Sequence, residues 1–407
     1  MLNLVLKNQV IMGEYEEFAE ALMDQLSVEI NEEKEISELS KKISEDSSFT
    51  VKFEDIEKSC QEIFDSLKEK ISQYVGIPVS NDLKIVYPDL HDFKMLKGKK
   101  VFADDAGRIF TDKLFDAVAN ENLEKISNLI KEDTAKFLVY STYAKGYISK
   151  ISTTYGDYLD SKIYLNKFVL SSYPQIILYK QGPPYESRAE SVRSGYTGAL
   201  KMTMLEETVH SLQENLHRVN KEAVIKVNTL NEELARIILA LDDQTSSKLS
   251  EYLQLPSVPD EFPVARRANL FFMLNPDNFI VNVLGPDVMT FTKVEVDPKI
   301  SEMVPELLDI YQRWLGPIQT HHAAFTTMEG MAEFAVQDIL RDDDDFQNYL
   351  TTFMGTDYSS YRVRKSMGKD FTSSVFEKHG KQAFKMLIEN PPSTRELKDP
   401  SLYLKRI

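Results

Sequence analysis

The clearest periodic signal lies in residues 200–220. Leu205, Val209, Leu212, Leu216 and Val219 follow one another at steps of four, three, four and three. That spacing predicts an amphipathic helix with one apolar seam. One position around it runs a polar stripe of Glu206, His210, Gln213 and His217. Helical spacing dominates elsewhere as well. The first 75 residues read as heavily charged helices, within which residues 30–46, acidic and rich in Ser and Lys, fit either a connection or a solvated helix face. Residues 113–171 return to helical spacing, and from Gly198 onward almost everything reads as helix. Pro256, Pro259 and Pro263 separate a long helix pair from the C-terminal helices, of which residues 298–314 and 319–340 read as two. Asp342 to Asp345 reads as a solvated charge run at a helix boundary.

Two stretches break this pattern. Residues 78–112 hold the short apolar runs LKIVY, KKVFA and RIFTD, rich in β-branched and aromatic residues, with Asp104-Asp105-Ala106-Gly107 as a hairpin-like turn between the last two. Residues 175–179 read as a strand that comes after Pro174 and is closed by Gly182-Pro183-Pro184. The expected fold is therefore mainly α with a small β-sheet, an α+β class. Two parts are expected: a mostly helical region with a small β element over 1–170, and a second region over 171–407.

Composition narrows the function classes. The chain has 407 residues, enough for two or three domains, and 42% hydrophobic with 10% aromatic residues is a globular balance. Lys and Arg number 48 against 64 Asp and Glu, a formal charge of −16. This argues against nucleic acid as a partner, since nucleic-acid binding needs a basic footprint. The longest apolar runs, such as residues 270–274, are far short of the about 20 residues that cross a bilayer, so no membrane span is expected. The start, MLNLVLKNQVIMGEYEEF, lacks a basic n-region and leads into acidic residues, so a cytoplasmic protein is expected. The single cysteine, Cys60, leaves metal binding to His and carboxylates. No internal repeat, GxGxxG or Walker loop occurs.

Glu206 and His210 are four residues apart, so they leave the same helix face one turn apart and can grip one ion. Glu207 sits at the edge of that face. His217, about 10 Å further along an unbroken helix, cannot share a metal with His210 unless the helix breaks. By itself an E-x-x-x-H pair on an acidic helix is ordinarily a surface Glu–His contact, with a metal site as the sharper option.

The surrounding order of features resembles that of the gluzincin metallopeptidases. Glu206-Glu207-Thr208-Val209-His210 matches their H-E-x-x-H with Glu206 in place of the first His, and Ser211-Leu212-Gln213 is similar to the run after the second His. The strand expected at 175–179 precedes the helix as their substrate-aligning edge strand does. Downstream, Met328-Glu329-Gly330-Met331-Ala332 is similar to the E-G-x-A helix that brings the third ligand. Gly368 to Phe371, Lys378-His379-Gly380, Asn390 to Glu396 and Asp399-Pro400 to Tyr403 then resemble a C-terminal G-x-x-F, P-P-x-S-T-E and H-P-x-x-Y pattern. Arg395 interrupts that match and Asp399 stands in for its His. The resemblance covers about residues 173–407 and implies a gluzincin-like core there.

It also implies roles: Glu206, His210 and Glu329 as metal ligands and Glu207 as general base. Tyr361 falls in the region where relatives place an oxyanion donor, along with Tyr358, Arg362 and Arg364. Ordinary packing and surface charge account equally for these four. With two carboxylates and one imidazole, the set implies a weakly held divalent metal, zinc or, by its hardness, Mn²⁺ or Fe²⁺. The expected function is a gluzincin-like protein with a degenerate metal site and little or no peptidase activity. The alternatives are an active metal-dependent hydrolase using those residues, with a peptide or protein as substrate, and a helical interaction scaffold with no metal site. His321, His322 and the pair Arg266-Arg267 read as capping or surface residues, with a place in the cleft or on a substrate carboxylate as the sharper option. Trp314 and Tyr311 read as core.

Overall fold

Helix is the prevailing structure in the computed structural model, which describes residues 13–101, 105–148, 154–276, 293–352 and 360–407. In chain order the helices begin with α1 (Glu14–Glu45), α2 (Ile56–Val75), α3 (Leu90–Val101), α4 (Asp105–Ala119), α5 (Leu123–Glu132) and α6 (Thr134–Ile148). They continue with α7 (Lys167–Gln181), α8 (Glu186–Ser211), α9 (Glu214–Leu239), α10 (Asp243–Tyr252), α11 (Pro263–Leu274) and α12 (Pro298–Met303). The last are α13 (Leu307–Ile339), α14 (Asp344–Thr352), α15 (Ser360–His379), α16 (Gln382–Glu389), α17 (Thr394–Lys398) and α18 (Pro400–Arg406). Three short strands, β1 (Lys84–Val86), β2 (Gly156–Leu159) and β3 (Lys162–Leu165), form the small sheet. The mainly α class with a small sheet is thus what the chain adopts.

The chain divides into two compact units. Met1–Ile30, Lys97–Ile148 and Asn220–His322 form the first, and Asn31–Leu96, Ser149–Val219 and Ala323–Ile407 the second. Each draws on sequence from both sides of position 170.

The first unit is helical. Phe18 packs edge-on to Phe137 at 6.2 Å, Phe115 stacks on Tyr147 at 5.2 Å, and Trp314 is buried with Val227, Leu230 and Ile318. Arg266 is buried and paired to Asp260 at 2.7 Å, and Arg267 is paired to Asp243 at 2.9 Å, so both guanidinium groups are engaged in holding local structure.

The second unit carries the sheet, in the order β1-β3-β2. β3 pairs parallel to β1 and antiparallel to β2, so β2 is an edge strand. Asp160 and Ser161, at φ 48° and 58°, make the two-residue turn between β2 and β3. Positive φ at both central positions is what a hairpin twist requires. This hairpin falls where helical spacing was expected. The helix α8 runs through the core of the unit, burying Leu200, Met204, Leu205 and Val209 with residues of α2, α13, α15 and α16.

Small residues let the backbones of this unit approach one another. A Cβ at Gly198 of α8 would stand 2.0 Å from the Asp345 carbonyl oxygen of α14. One at Gly330 of α13 would stand 2.0 Å from the carbonyl carbon of Gly368 in α15. Two glycines of the E-G-x-A and G-x-x-F segments therefore form a single helix crossing. The rest of the C-terminal pattern is packing and capping. Phe371 meets Tyr403 edge-on at 5.4 Å, Ser393 and Glu396 form a capping box on α17, and Asp399 caps α18.

Several sequence expectations are corrected. Residues 175–179 are not a strand but the second half of α7. Asn166 caps that helix by accepting from Val169 N at 3.3 Å, so it is already established when Pro174 removes one hydrogen bond. RIFTD lies within α4, and so do Asp105 to Gly107. Asp104 falls outside the described residues. The break within 298–340 falls at residues 304–306 and not at the expected 315–318, because α13 continues through Pro317. The Asp342 to Asp345 run does lie at a helix boundary, but it is only partly solvated. Lys201 of α8 binds Asp343 at 2.7 Å and Asp345 at 2.9 Å, and Asp343 accepts from Phe346 N.

Candidate metal centre

The predicted helix does not run from 200 to 220. It ends one residue after His210, and Leu212 and Gln213 lead into α9. No glycine makes this stop; side chains do. His217, on the first turn of α9, donates from Nε2 to the His210 carbonyl oxygen at 3.0 Å, and Ser211 Oγ donates to the Thr208 carbonyl at 2.6 Å. The ring of His217 lies 6.0 Å from that of His210. The break that would have let His217 reach a shared metal exists, yet its Nε2 is committed to ending the helix.

Gln213 occupies the break and serves two elements. Its Oε1 accepts from His210 Nδ1 at 2.8 Å, and its Nε2 donates to the Met328 carbonyl oxygen at 3.1 Å. The amide thus ties α8 to α13 one residue before Glu329. It also fixes the imidazole: with Nδ1 donating to Gln213, Nε2 is the nitrogen that faces Glu329 Oε1, at 3.9 Å. A proton or a cation between the two satisfies both.

Glu206 completes the arrangement. One donor atom from each of Glu206, His210 and Glu329 lies within 4.8 Å of the others, close enough to hold one metal ion. His210 is buried and the two carboxylates are mostly covered. Ligand bonds near 2.0–2.2 Å would require the donors to close around an ion by modest side-chain rotation. The donor chemistry fits a hard or borderline divalent ion, since two oxygens and one nitrogen lack the softness of thiolate or multi-imidazole sets.

Sequence reasoning missed two charged neighbours. Lys365 of α15 is ion-paired to Glu206, and its Nζ also lies 3.4 Å from Glu333 Oε2. Glu333 is one turn beyond Glu329 on α13, a spacing visible in the sequence. Lys365 is one turn before Gly368, and no local pattern distinguishes it from other surface lysines. Only the crossing of Gly330 and Gly368 brings it here. Tyr349 of α14 is buried nearby. Burial first, then Tyr155 and the carboxylates of Glu206 and Glu333, with Lys365 opposing, push its phenol well above the ordinary value, so it stays neutral.

Glu207 is buried beside the hairpin. A Cβ on Gly156, the first residue of β2, would stand 3.1 Å from Glu207 Cγ. The edge strand that neighbours this helix is therefore β2, in place of the predicted 175–179 segment. His321 and His322 belong to the first unit, where His321 Nδ1 donates to Asn220 Oδ1 at 2.7 Å, and neither is among the three convergent donors. Arg364 stacks its guanidinium over Phe325 at 5.1 Å. Tyr358 and the Tyr361 side chain lie outside the described residues.

Among the described residues no helix is long and apolar enough to cross a membrane. No protein-family model, curated protein or solved structure matches this chain.

Proposed function

We propose that this chain binds a divalent cation at a degenerate gluzincin-like site, with Glu206, His210 and Glu329 as ligands, and that its capacity for peptide hydrolysis is weak or absent. The observation that carries this reading is the convergence of the three donors within 4.8 Å from helices far apart in sequence. The orientation of the imidazole supports it, because Gln213 holds Nδ1 and turns Nε2 toward Glu329. A bound ion would supply Lewis acidity, lowered here because two carboxylates offset its formal charge. Mn²⁺ and Fe²⁺ suit the oxygen-rich set better than Zn²⁺ does.

One observation favours the stronger reading of an active hydrolase. Glu207 is buried next to the start of an edge strand, where a general base would meet an extended peptide added to that edge. The candidates for the remaining requirement, a donor for a developing oxyanion, include Tyr361, whose side chain lies outside the described residues.

The test is titration of the full chain with Mn²⁺, Fe²⁺ and Zn²⁺ beside His210→Ala, with peptide cleavage measured on the same samples and on Glu207→Gln. Binding at one ion per chain that His210→Ala abolishes supports the site. Binding unaffected by His210→Ala overturns it. Cleavage lost in Glu207→Gln would replace the weak-activity reading with the hydrolase.

A further inference from the structure

Lys365 is the feature that the metal reading does not itself require. Its ammonium is mostly shielded from water, bonded to Glu206, and within 3.4 Å of a second carboxylate, Glu333. Glu206 is thus a ligand whose charge is already engaged by an internal cation. A divalent ion entering beside His210 and Glu329 must share the Glu206 carboxylate with that ammonium, and repulsion between the two cations favours the ammonium letting go. Glu333 gives the ammonium a second carboxylate to move to without entering bulk water.

Resting on the metal-site reading above, we propose that Lys365 is a built-in competitor for the cation: it holds Glu206 in the metal-free protein, transfers to Glu333 when a divalent ion binds, and so sets the affinity of the site. The chemistry is exchange of one cation for another at a carboxylate. The Glu206–Lys365 ion pair would be given up, Glu206 would join His210 and Glu329 in holding the ion, and the ammonium would pair with Glu333, with no proton moved. A competitor of this kind weakens every divalent ion through charge, and least those that bind oxygen donors strongly enough to displace an ammonium.

The experiment is calorimetric titration of the full chain with Mn²⁺ and with Zn²⁺. Lys365→Met should tighten binding by about tenfold or more, the scale on which outer residues tune metal sites. Lys365→Arg keeps the charge and adds a fork that can grip Glu206 at two atoms, so it should weaken binding. It provides the opposite-signed test even if Lys365→Met folds poorly. Glu333→Gln should weaken binding in the parent, because the ammonium loses its second partner, and should have a much smaller effect in the Lys365→Met background. Unchanged or weaker binding in Lys365→Met, or equal effects of Glu333→Gln in both backgrounds, would overturn the proposal while a His210-dependent site stood. Absence of any His210-dependent binding in the parent and in Lys365→Met would remove the metal reading itself, and this proposal with it.

Discussion

Gly330→Ala tests the helix crossing on which the candidate centre is built. In an exposed helix interior this substitution would stabilise by about 1 kcal/mol, since alanine has the better propensity. Here the added Cβ would lie 2.0 Å from the Gly368 carbonyl carbon, 2.3 Å from its Cα and 2.5 Å from its oxygen. Carbon atoms pack at about 3.5–4.0 Å, so α13 and α15 must part by roughly 1.5 Å. The obstacle is backbone, which cannot rotate away. Overpacking of this kind costs about 3 kcal/mol at the upper end of its usual range. The net is a loss of about 2 kcal/mol, or a fall in Tm of about 4–8 °C for a unit of this size. Gly368→Ala should behave alike, because its Cβ would stand 2.0 Å from the Thr326 carbonyl oxygen. The double variant should lose less than the two singles together, because one separation relieves both clashes. Thermal melts of the four proteins give the answer. A Tm that holds or rises in either single variant would mean that propensity wins and that the helices do not meet at these glycines.

Three further outcomes are expected. Gln213→Leu removes the bond that holds His210 Nδ1 and should lower divalent-ion affinity by about 10- to 100-fold; titration giving unchanged affinity would show that the imidazole needs no such orientation. Glu206→His should raise zinc affinity, and Glu206→His with Lys365→Met should raise it further, because the single change leaves an ammonium near the metal with its Glu206 partner removed and Glu333 as its remaining carboxylate. Zinc binding no tighter than the parent in either would separate position 206 from the site. The third concerns pH. Burial alone would raise the Glu396 carboxyl, but Arg406, 2.5 Å away, and Ser393 outweigh it and hold it below its ordinary 4.5. A folded value below the unfolded one gives stability that is present above about pH 4.5 and lost as pH falls through the depressed value. Arg406→Met should therefore lower Tm at pH 7 and lower it less at pH 3; an equal loss at both would assign the effect to packing of Arg406 on Tyr403.

The legibility of the sequence depended on the range of the interactions involved. The spacing of Glu206 and His210 is local, so their shared face was legible, and so was the burial of Leu205 and Val209. The mainly helical class was legible for the same reason. The placement of Glu329 was not local. It came from a family resemblance, and the three donors do converge, though that convergence does not establish the family. The failures share a different cause. The stop after Ser211 depends on His217 and Gln213 reaching back to His210, a side-chain device with no helix-breaking residue to announce it. Residues 175–179 have strand-forming composition, but a cap at Asn166 and a helix already under way decided their state. In the 156–165 hairpin, Asp160-Ser161 between aromatic and β-branched residues was a usable signal that the helical context obscured. Lys365 carried no signal at all, because only the meeting of Gly330 with Gly368 brings it to Glu206.

On the proposed gluzincin-like reading, charge balance links Glu206 to Lys365. Two imidazoles and one carboxylate around a divalent ion leave one net positive charge on the metal, where it can polarise a substrate carbonyl. On that reading Glu206 stands where an imidazole would and removes that excess, since Glu206 and Glu329 together would offset the ion. Lys365 returns one positive charge to the same neighbourhood, but as an ammonium bonded to Glu206. An ammonium can donate hydrogen bonds and hold an anion, yet it has no empty coordination position to offer. On the proposed reading the electrostatic field of a hydrolytic site is retained while its Lewis acid is weakened. Glu207 lies beside the β2 edge, so on the same reading a peptide aligned there would meet a base with little to activate. Binding at such a site survives the change in ligand more readily than hydrolysis does, because binding uses the field and hydrolysis needs the vacant position.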